Sequence, residues 1–310
     1  MVTFDKLKLV ADVNAIDIID EEPFEKIEKA GFLPSYKFYQ EVPFLLMIKI
    51  DYQEKEVVVE FCGKVLGKEY PKLISRETIT KCFENINAMG FCRIDVDMMM
   101  DADVVKADVT KDVHSVDVPK LTTYIRSHIS NYHQFISRIL RNGNLVVEKN
   151  VVSRKTKKRM TIYDKGKEMH KEANKRFVEA YGLEHVFDDT CRFELNLNSK
   201  EQVRTALKID NNKLCNVLNS SASPIKDFMG KIVIAENNSI KMTSKKEYLT
   251  MLVLKDCDYD LEKVEAKMRE LHASRGTNIT KIMEPFRAMM DMLQTKDGTS
   301  YPHELIDLLA

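Results

Sequence analysis

Apolar and polar residues alternate in several short segments, and this two-residue period most constrains what the chain can fold into. In residues 91–97 and again in 191–197, every second residue is apolar. Successive side chains of a β-strand point to opposite faces of the sheet, so this alternation indicates strands with one buried and one polar face. The chain therefore needs a sheet whose apolar side is covered by other elements.

Further segments extend this pattern into an α+β fold. Strands are predicted at 5–13, within 43–61, and at 91–97, 136–140, 144–152, 158–164 and 191–197, and helices at 76–89, 119–131, 166–181 and 200–208. This order predicts a central, mainly antiparallel sheet with helices on one face. Beyond about residue 210 the strand signal fades, and 244–256, 260–273 and 278–293 are predicted helices. We expect a first domain at 1–209 and a helical C-terminal region at 210–310.

The composition is that of an ordinary globular protein. Of the 310 residues, 44% are hydrophobic and 31% are charged, close to the average for such proteins. The six cysteines are scattered without a Cys-x-x-Cys pair, which favours reduced thiols. The sequence shows neither a basic-plus-apolar leader nor a long apolar run. We therefore expect a cytoplasmic protein without a membrane partner.

Positive charge is concentrated in the middle of a chain whose net charge is zero. Residues 138–176 carry 13 bases and 4 acids. The densest run contains the candidate DNA-binding residues Arg154, Lys155, Lys157, Lys158 and Arg159. Such a run predicts a local anion-binding face, although a solvated hairpin and helix would also explain it.

The polar faces of two predicted strands offer metal ligands. Arg93, Asp95 and Asp97 share one face of the first strand, and Arg192, Glu194 and Asn196 share one face of the second. If the strands were neighbours, the three carboxylates would suit a hard cation such as Mg²⁺ or Mn²⁺. Solvent-facing residues of an open antiparallel sheet are the alternative.

Tyr163 is the candidate nucleophile. It follows the basic run, and Lys165 would share its face if the strand continued that far. A tyrosine hydroxyl has an ordinary pKa of about 10 and needs a nearby base, cation or metal ion to attack. Lys165, Arg93 or Arg192 could offset charge on phosphoryl oxygens. Ordinary packing of a half-buried tyrosine is the alternative.

Three segments taken in order resemble a known family. They are Arg-Ile-Asp-Val-Asp at 93–97, Thr-Ile-Tyr-Asp-Lys-Gly-Lys-Glu at 161–168 and Arg-Phe-Glu-Leu-Asn-Leu at 192–197. The sequence resembles the rolling-circle replication initiators of plasmids and filamentous-type phage, over about residues 40–210.

The resemblance implies an enzyme that nicks and rejoins DNA. The implied reaction is site-specific, metal-dependent cleavage of one strand through a phosphotyrosine, which leaves a 3′-hydroxyl to prime rolling-circle replication. Tyr163 would be the nucleophile and Lys165 would assist it. The resemblance also implies a metal cluster of Asp95, Asp97 and Glu194, with Arg93 and Arg192 binding phosphate. The expected partner is origin DNA, single-stranded or cruciform; a host helicase and a second copy of the chain are further candidates.

Two other readings of the sequence stay open. The chain could be a non-catalytic DNA-binding relative of such initiators, whose binding would weaken steeply with salt. It could also be an α+β protein that binds a protein partner through its C-terminal helices. Residues 273–278 could in addition form the corner of a helix-turn-helix.

Overall fold

A computed structural model describes most of the chain: residues 1–28, 30–129, 135–149, 157–232, 242–257, 259–272 and 278–294, together with 151, 153 and 309. Twelve strands lie within these residues. They are β1 (Phe4–Asp12), β2 (Ile16–Ile18), β3 (Glu25–Ile27), β4 (Ser35–Gln40), β5 (Leu46–Asp51), β6 (Glu56–Cys62), β7 (Cys92–Ile94), β8 (Asp103–Val113), β9 (Phe135–Ile139), β10 (Leu145–Lys149), β11 (Arg159–Asp164) and β12 (Cys191–Leu197).

The described α-helices, in chain order, are α1 (Ile79–Asn87), α2 (Val96–Met100), α3 (Val118–His128), α4 (Lys165–Met169), α5 (Glu172–Tyr181), α6 (Lys200–Leu207), α7 (Leu214–Leu218), α8 (Pro224–Ile232), α9 (Lys245–Asp256), α10 (Leu261–Leu271) and α11 (Ile279–Gln294). A 3-10 helix at Gly63–Lys72 follows β6. None of the described helices combines the length and the apolar character needed to cross a lipid bilayer.

The chain divides into two compact units. The first comprises residues 1–116 and 151–225, and the second comprises 117–150 and 226–310. The expected boundary between residues 209 and 210 falls inside the first unit, and the second unit also takes in the segment 117–150. The α+β class, with an antiparallel sheet and C-terminal helices, is confirmed.

The first unit is built on an antiparallel sheet with its strands in the order β3-β4-β5-β6-β1-β8-β12-β11. Alternation places one set of side chains in the core: Leu7 and Leu9 of β1 are fully buried, as is Phe193 of β12. The intervening positions form a second, polar face. β2 and β7 pair separately as a small two-stranded sheet.

The second unit contains a hairpin and three C-terminal helices. β9 and β10 pair antiparallel, and the turn between them contains Gly143 with a φ of 84°. Asn142-Gly143 is a strong signal for such a turn because glycine accepts positive φ without strain. The predicted C-terminal helices correspond to α9, α10 and α11, which share a buried cluster that includes Leu254, Val264 and Met290.

One expectation for the second unit lies almost wholly outside the described residues, and one strand of the first unit was not predicted. The proposed helix-turn-helix corner at 273–278 lies outside the described residues except for Asn278. The long strand β8 was missed, although its valines alternate in part with polar residues. That strand supplies one wall of the site described next.

Candidate active site

The polar face of the sheet is assembled by the pairing of β8, β12 and β11. The two registers align three rows of side chains across these strands. From β11 to β8 the rows are Tyr163–Arg192–Asp112, Thr161–Glu194–Thr110 and Arg159–Asn196–Asp108. The second and third motifs, 161–168 and 192–197, thus become lateral neighbours on one face.

Tyr163 and Glu194 are the pair of side chains on this face that is best arranged for proton transfer. The hydroxyl of Tyr163 donates a hydrogen bond of 2.6 Å to Oε1 of Glu194. The tyrosine side chain is 8% exposed, and Glu194 is half-buried. A proton acceptor therefore already touches the atom that would attack a phosphorus.

Burial and neighbouring charge adjust the acidity of both partners. Burial, followed by repulsion from the Asp5 carboxylate, raises the pKa of Glu194 to about 7, although the Arg192 guanidinium opposes the shift. Burial raises the pKa of Tyr163 well above its ordinary value, and the charge of Glu194 adds to this increase. A base with a pKa near neutrality is well matched to proton abstraction, so Glu194 is suited to accept the hydroxyl proton of Tyr163.

Arg192 anchors the fully buried end of this face. Its Nε and Nη2 donate to the two carboxylate oxygens of Asp112, each at 2.7 Å. Its Nη1 donates to Oδ1 of Asp5 and to the hydroxyl of Tyr70, each at 2.8 Å. The side chain has no exposed surface. It therefore holds Asp112, Asp5 and Tyr70 in place. A fully buried Arg192 cannot make the direct contact with a DNA phosphate that was expected from the sequence.

Lys165 lies beside Tyr163 but does not continue its strand. β11 ends at Asp164, whose side chain accepts a hydrogen bond from the backbone N–H of Lys167 and so caps α4. Lys165 is the first residue of that helix and is 2% exposed. Its Nζ donates to Oε2 of Glu168 at 2.6 Å and lies 5.8 Å from the centre of the Tyr163 ring. Lys165 is thus close to Tyr163, as expected, but because it begins α4 and not because the two residues share a strand face.

Burial lowers the pKa of Lys165, and the positive charge of Arg192 lowers it further. The carboxylates of Asp5 and Glu168 oppose this shift. The ammonium is enclosed by aromatic rings, 5.2 Å from the centre of Tyr70 and 5.8 Å from that of Phe187. Contacts of this kind between a cation and aromatic faces offset part of the cost of burying the charge.

Gly166 allows α4, which carries Lys165, to pack closely against the backbone of Phe187. A Cβ at this position would lie 2.9 Å from the backbone oxygen of Phe187. Real Cβ atoms do not come so close to a carbonyl oxygen, so only glycine fits without a shift of the backbone. A steric constraint thus explains why glycine follows the Tyr-Asp-Lys motif.

Arg93, Asp95 and Asp97 occupy a different place from the one expected. β7 ends at Ile94, and the side chain of Asp95 then accepts a hydrogen bond of 2.9 Å from the backbone N–H of Met98 and so caps α2. Arg93, Asp95 and Asp97 are all exposed. The strand predicted at 91–97 therefore extends three residues too far at its C-terminal end, because an aspartate cap outweighs the pattern.

The predicted metal cluster is consequently not formed by its predicted ligands. Asp95 and Asp97 follow the small β2–β7 sheet, whereas Glu194 belongs to the large sheet. Among the residues that the structure describes, no three His, Cys, Asp or Glu side chains are grouped so as to hold a metal ion. The three predicted ligands therefore do not form one site, and a requirement for Mg²⁺ or Mn²⁺ stays a prediction.

The basic run is only partly described. Arg154 and Lys155 lie outside the described residues, while Lys157, Lys158 and Arg159 are half-buried. Nε of Arg159 is buried and has no hydrogen-bond partner among the described residues. Because side chains alternate along β11, Arg159 lies on the same polar face as Tyr163, four residues earlier in the strand.

Several site residues escaped the sequence reasoning. Asp5, Tyr70, Asp112 and Glu168 complete the network around Arg192 and Lys165. Asp112 could have been found from the polar positions of β8, had that strand been predicted. Asp5 and Tyr70 carry no local signal, because their contacts with Arg192 span 187 and 122 residues of sequence.

Comparisons of the chain with protein-family models, with curated proteins and with solved structures found no match.

Proposed function

We propose that this protein nicks and rejoins single-stranded DNA through a covalent bond to Tyr163. The observation that carries the proposal is the 2.6 Å hydrogen bond from the Tyr163 hydroxyl to Glu194, a carboxyl whose pKa is about 7. A nucleophile in contact with a base of suitable pKa is the arrangement that covalent catalysis needs. The order of the three motifs, which resembles that of rolling-circle initiators, supports DNA as the substrate.

The proposed step is a transesterification at phosphorus. Glu194 takes the hydroxyl proton of Tyr163 as the phenolic oxygen bonds to phosphorus, and the bond from phosphorus to the 3′-oxygen breaks. Water supplies a proton to the departing oxygen, which becomes a 3′-hydroxyl, and the 5′ side of the strand stays on the tyrosine. Lys165 stabilises the phenolate character that develops on Tyr163. Attack by the 3′-hydroxyl reverses the step and rejoins the strand.

A second candidate is a DNA-binding relative without catalysis. The observation favouring it is the burial of Tyr163, which exposes 8% of its surface. In this case the Tyr163–Glu194 hydrogen bond would stabilise the sheet, as buried polar pairs commonly do. The polar face would then serve binding alone.

One experiment separates the two candidates. The protein is incubated with labelled single-stranded and hairpin-forming oligonucleotides of randomised sequence, in the presence of Mg²⁺ or Mn²⁺, and run on a denaturing gel. We expect a covalent adduct that Tyr163→Phe abolishes while DNA binding persists. Tyr39→Phe is the matched control, since the Tyr39 hydroxyl also donates to a glutamate, Glu41, at 2.9 Å but lies on β4.

The outcomes are distinct. An adduct that survives in Tyr163→Phe would refute the assignment of the nucleophile. Salt-sensitive DNA binding by the unmodified protein, with no adduct on any oligonucleotide, would favour the non-catalytic relative.

A further inference from the structure

A polar cleft opens on the same face of the sheet, beyond Glu194 along β12. Asn196 of this strand and Asn198, just beyond its end, form one side of the cleft. The neighbouring strands contribute its charged lining: Lys6, Lys8, Glu60, Lys106 and Asp108. None of these residues except Asn196 was a candidate from the sequence.

Strand pairing explains why several lysines collect there. Lys6 and Lys8 lie on the polar face of β1, while Leu7 and Leu9 between and beyond them are buried. β1 pairs with β8 so that Lys8 stands opposite Lys106. Like charges directly opposite one another are unfavourable unless a counterion lies between them. The pairing of Lys8 with Lys106 thus concentrates positive charge in the cleft, which a bound anion would offset.

The carboxylates of the cleft neutralise this charge only in part. Glu60 forms ion pairs with Lys6 at 2.5 Å and with Lys8 at 3.0 Å. Asp108 accepts a hydrogen bond of 2.7 Å from Nδ2 of Asn196, and its pKa is raised, mainly by burial. Lys106 is exposed, and within the described part of the chain it has no ion-pair partner. Three lysines thus face two carboxylates, one of which is less acidic than usual.

A second observation points to an anion close to the cleft. Arg159 stands opposite Asn196, which stands opposite Asp108, which stands opposite Lys6. The buried Nε of Arg159 is an unsatisfied donor among the described residues, and a buried donor without a partner costs free energy. This row therefore places an unused guanidinium donor one strand away from the cleft.

We propose that the cleft binds a backbone phosphate of single-stranded DNA, next to the phosphate that Tyr163 attacks. This inference rests on the proposed function. Glu194 and Asn196 are two residues apart on one strand, or about 7 Å, which is comparable with the spacing of neighbouring phosphates along an extended single strand. Lysines and amide side chains are the groups that commonly hold such phosphates without reading sequence. The cleft fixes the position of the strand, and the Tyr163–Glu194 pair carries out the chemistry.

The test measures binding in the Tyr163→Phe variant, so that no covalent step contributes. Affinity for a short oligothymidine is measured by fluorescence anisotropy over a range of salt concentrations. Removing one phosphate contact should lower the slope of log affinity against log salt by about 0.7. Lys106→Gln should therefore show this lower slope. The ratio of the parent's affinity to that of the variant should fall by about 2.6-fold when the salt concentration is raised fourfold.

Two further variants keep the result interpretable. Lys37→Gln is the matched control, since Lys37 is also an exposed strand lysine, lies on β4 and is outside the cleft; its slope should equal that of the parent. Lys106→Arg should keep the slope because the positive charge remains. Circular dichroism establishes that each variant is folded.

An unchanged slope in Lys106→Gln would overturn the proposal, as would an equal loss in Lys37→Gln. Inorganic phosphate that binds in a Lys106-dependent manner, while the DNA slope stays unchanged, would assign the cleft to a small phosphate ligand and would also overturn it. If the parent protein forms no adduct with any oligonucleotide but the slope still falls, the proposed catalysis fails and the cleft remains a DNA-binding site.

Discussion

Replacement of Arg192 by methionine tests whether the buried network holds the site together. Arg192 is fully buried, and it forms ion pairs with Asp112 and Asp5. Methionine has a similar length and keeps most of the apolar contacts, but it removes the charge and all four hydrogen bonds. The variant therefore leaves two carboxylates without their main counterion.

The size of the effect follows from the exposure of those carboxylates. The side chain of Asp112 is 6% exposed and that of Asp5 is 21% exposed. Breaking a buried ion pair by removing one partner costs about 3–5 kcal/mol. Because a domain has only about 5–15 kcal/mol of total stability, the variant should lose a large part of its free energy of unfolding.

The loss should depend on pH in a defined direction. Burial alone would raise the pKa of Asp5, but Arg192 first and then Lys165 outweigh it, so its pKa lies below the ordinary value of 3.8. A lowered folded pKa stabilises the protein above pH 3.8 and loses this contribution as the pH falls through the folded value. In Arg192→Met the Asp5 carboxylate loses that support, so the difference in stability between parent and variant should narrow in acid.

Urea unfolding followed by circular dichroism measures the difference at neutral and at acid pH. Arg269→Met is the matched control, because Arg269 makes an exposed ion pair with Glu265 on α10, and such pairs contribute about 0.5 kcal/mol. A loss in Arg192→Met no larger than in Arg269→Met would refute the reasoning. A difference that widens in acid would refute the assignment of the charge effect to Asp5.

Two further predictions concern the site itself. Because its pKa of about 7 in the folded protein lies above the ordinary value of 4.5, Glu194 stabilises the fold below pH 4.5, and this contribution is lost as the pH rises through 7. Glu194→Gln should remove that loss in urea titrations, and an unchanged pH dependence would contradict the raised pKa. Gly166→Ala should cost about 1–3 kcal/mol because of the close contact with Phe187. The control Gly230→Ala, with open space around its Cβ, should be neutral or stabilising, and equal effects in urea unfolding would contradict the steric argument.

The sequence was sufficient where a short pattern decides the structure. The alternation of 191–197 predicts β12, and with it the common face of Arg192, Glu194 and Asn196. The strand containing Tyr163 and the hairpin turn at Asn142-Gly143 were also predicted correctly. In each of these cases, the side-chain period or the turn chemistry is local to a few residues.

Local patterns were insufficient where a cap or a distant partner decides. The alternation at 91–97 continues past Ile94, yet Asp95 caps α2 and ends the strand. The partners of Arg192 come from β1, from β8 and from the 3-10 helix after β6. Which strands become neighbours depends on the whole topology. The sequence therefore identified Glu194 and Tyr163 as candidate site residues but could not predict that they contact each other.

Exposure changes along the polar face in a way that separates two functions. Arg192 is completely enclosed, Glu194 two residues later is half-buried, and Asn196 two residues further lines an open cleft. The enclosed end holds fixed charges, and these act on the pKa of Glu194 through Asp5 and Arg192. The open end is lined by Lys6, Lys8 and Lys106, of which Lys106 is exposed. Substitution at Arg192 should therefore change stability and proton transfer, whereas substitution at Lys106 should change DNA affinity and leave the free energy of unfolding nearly unaltered.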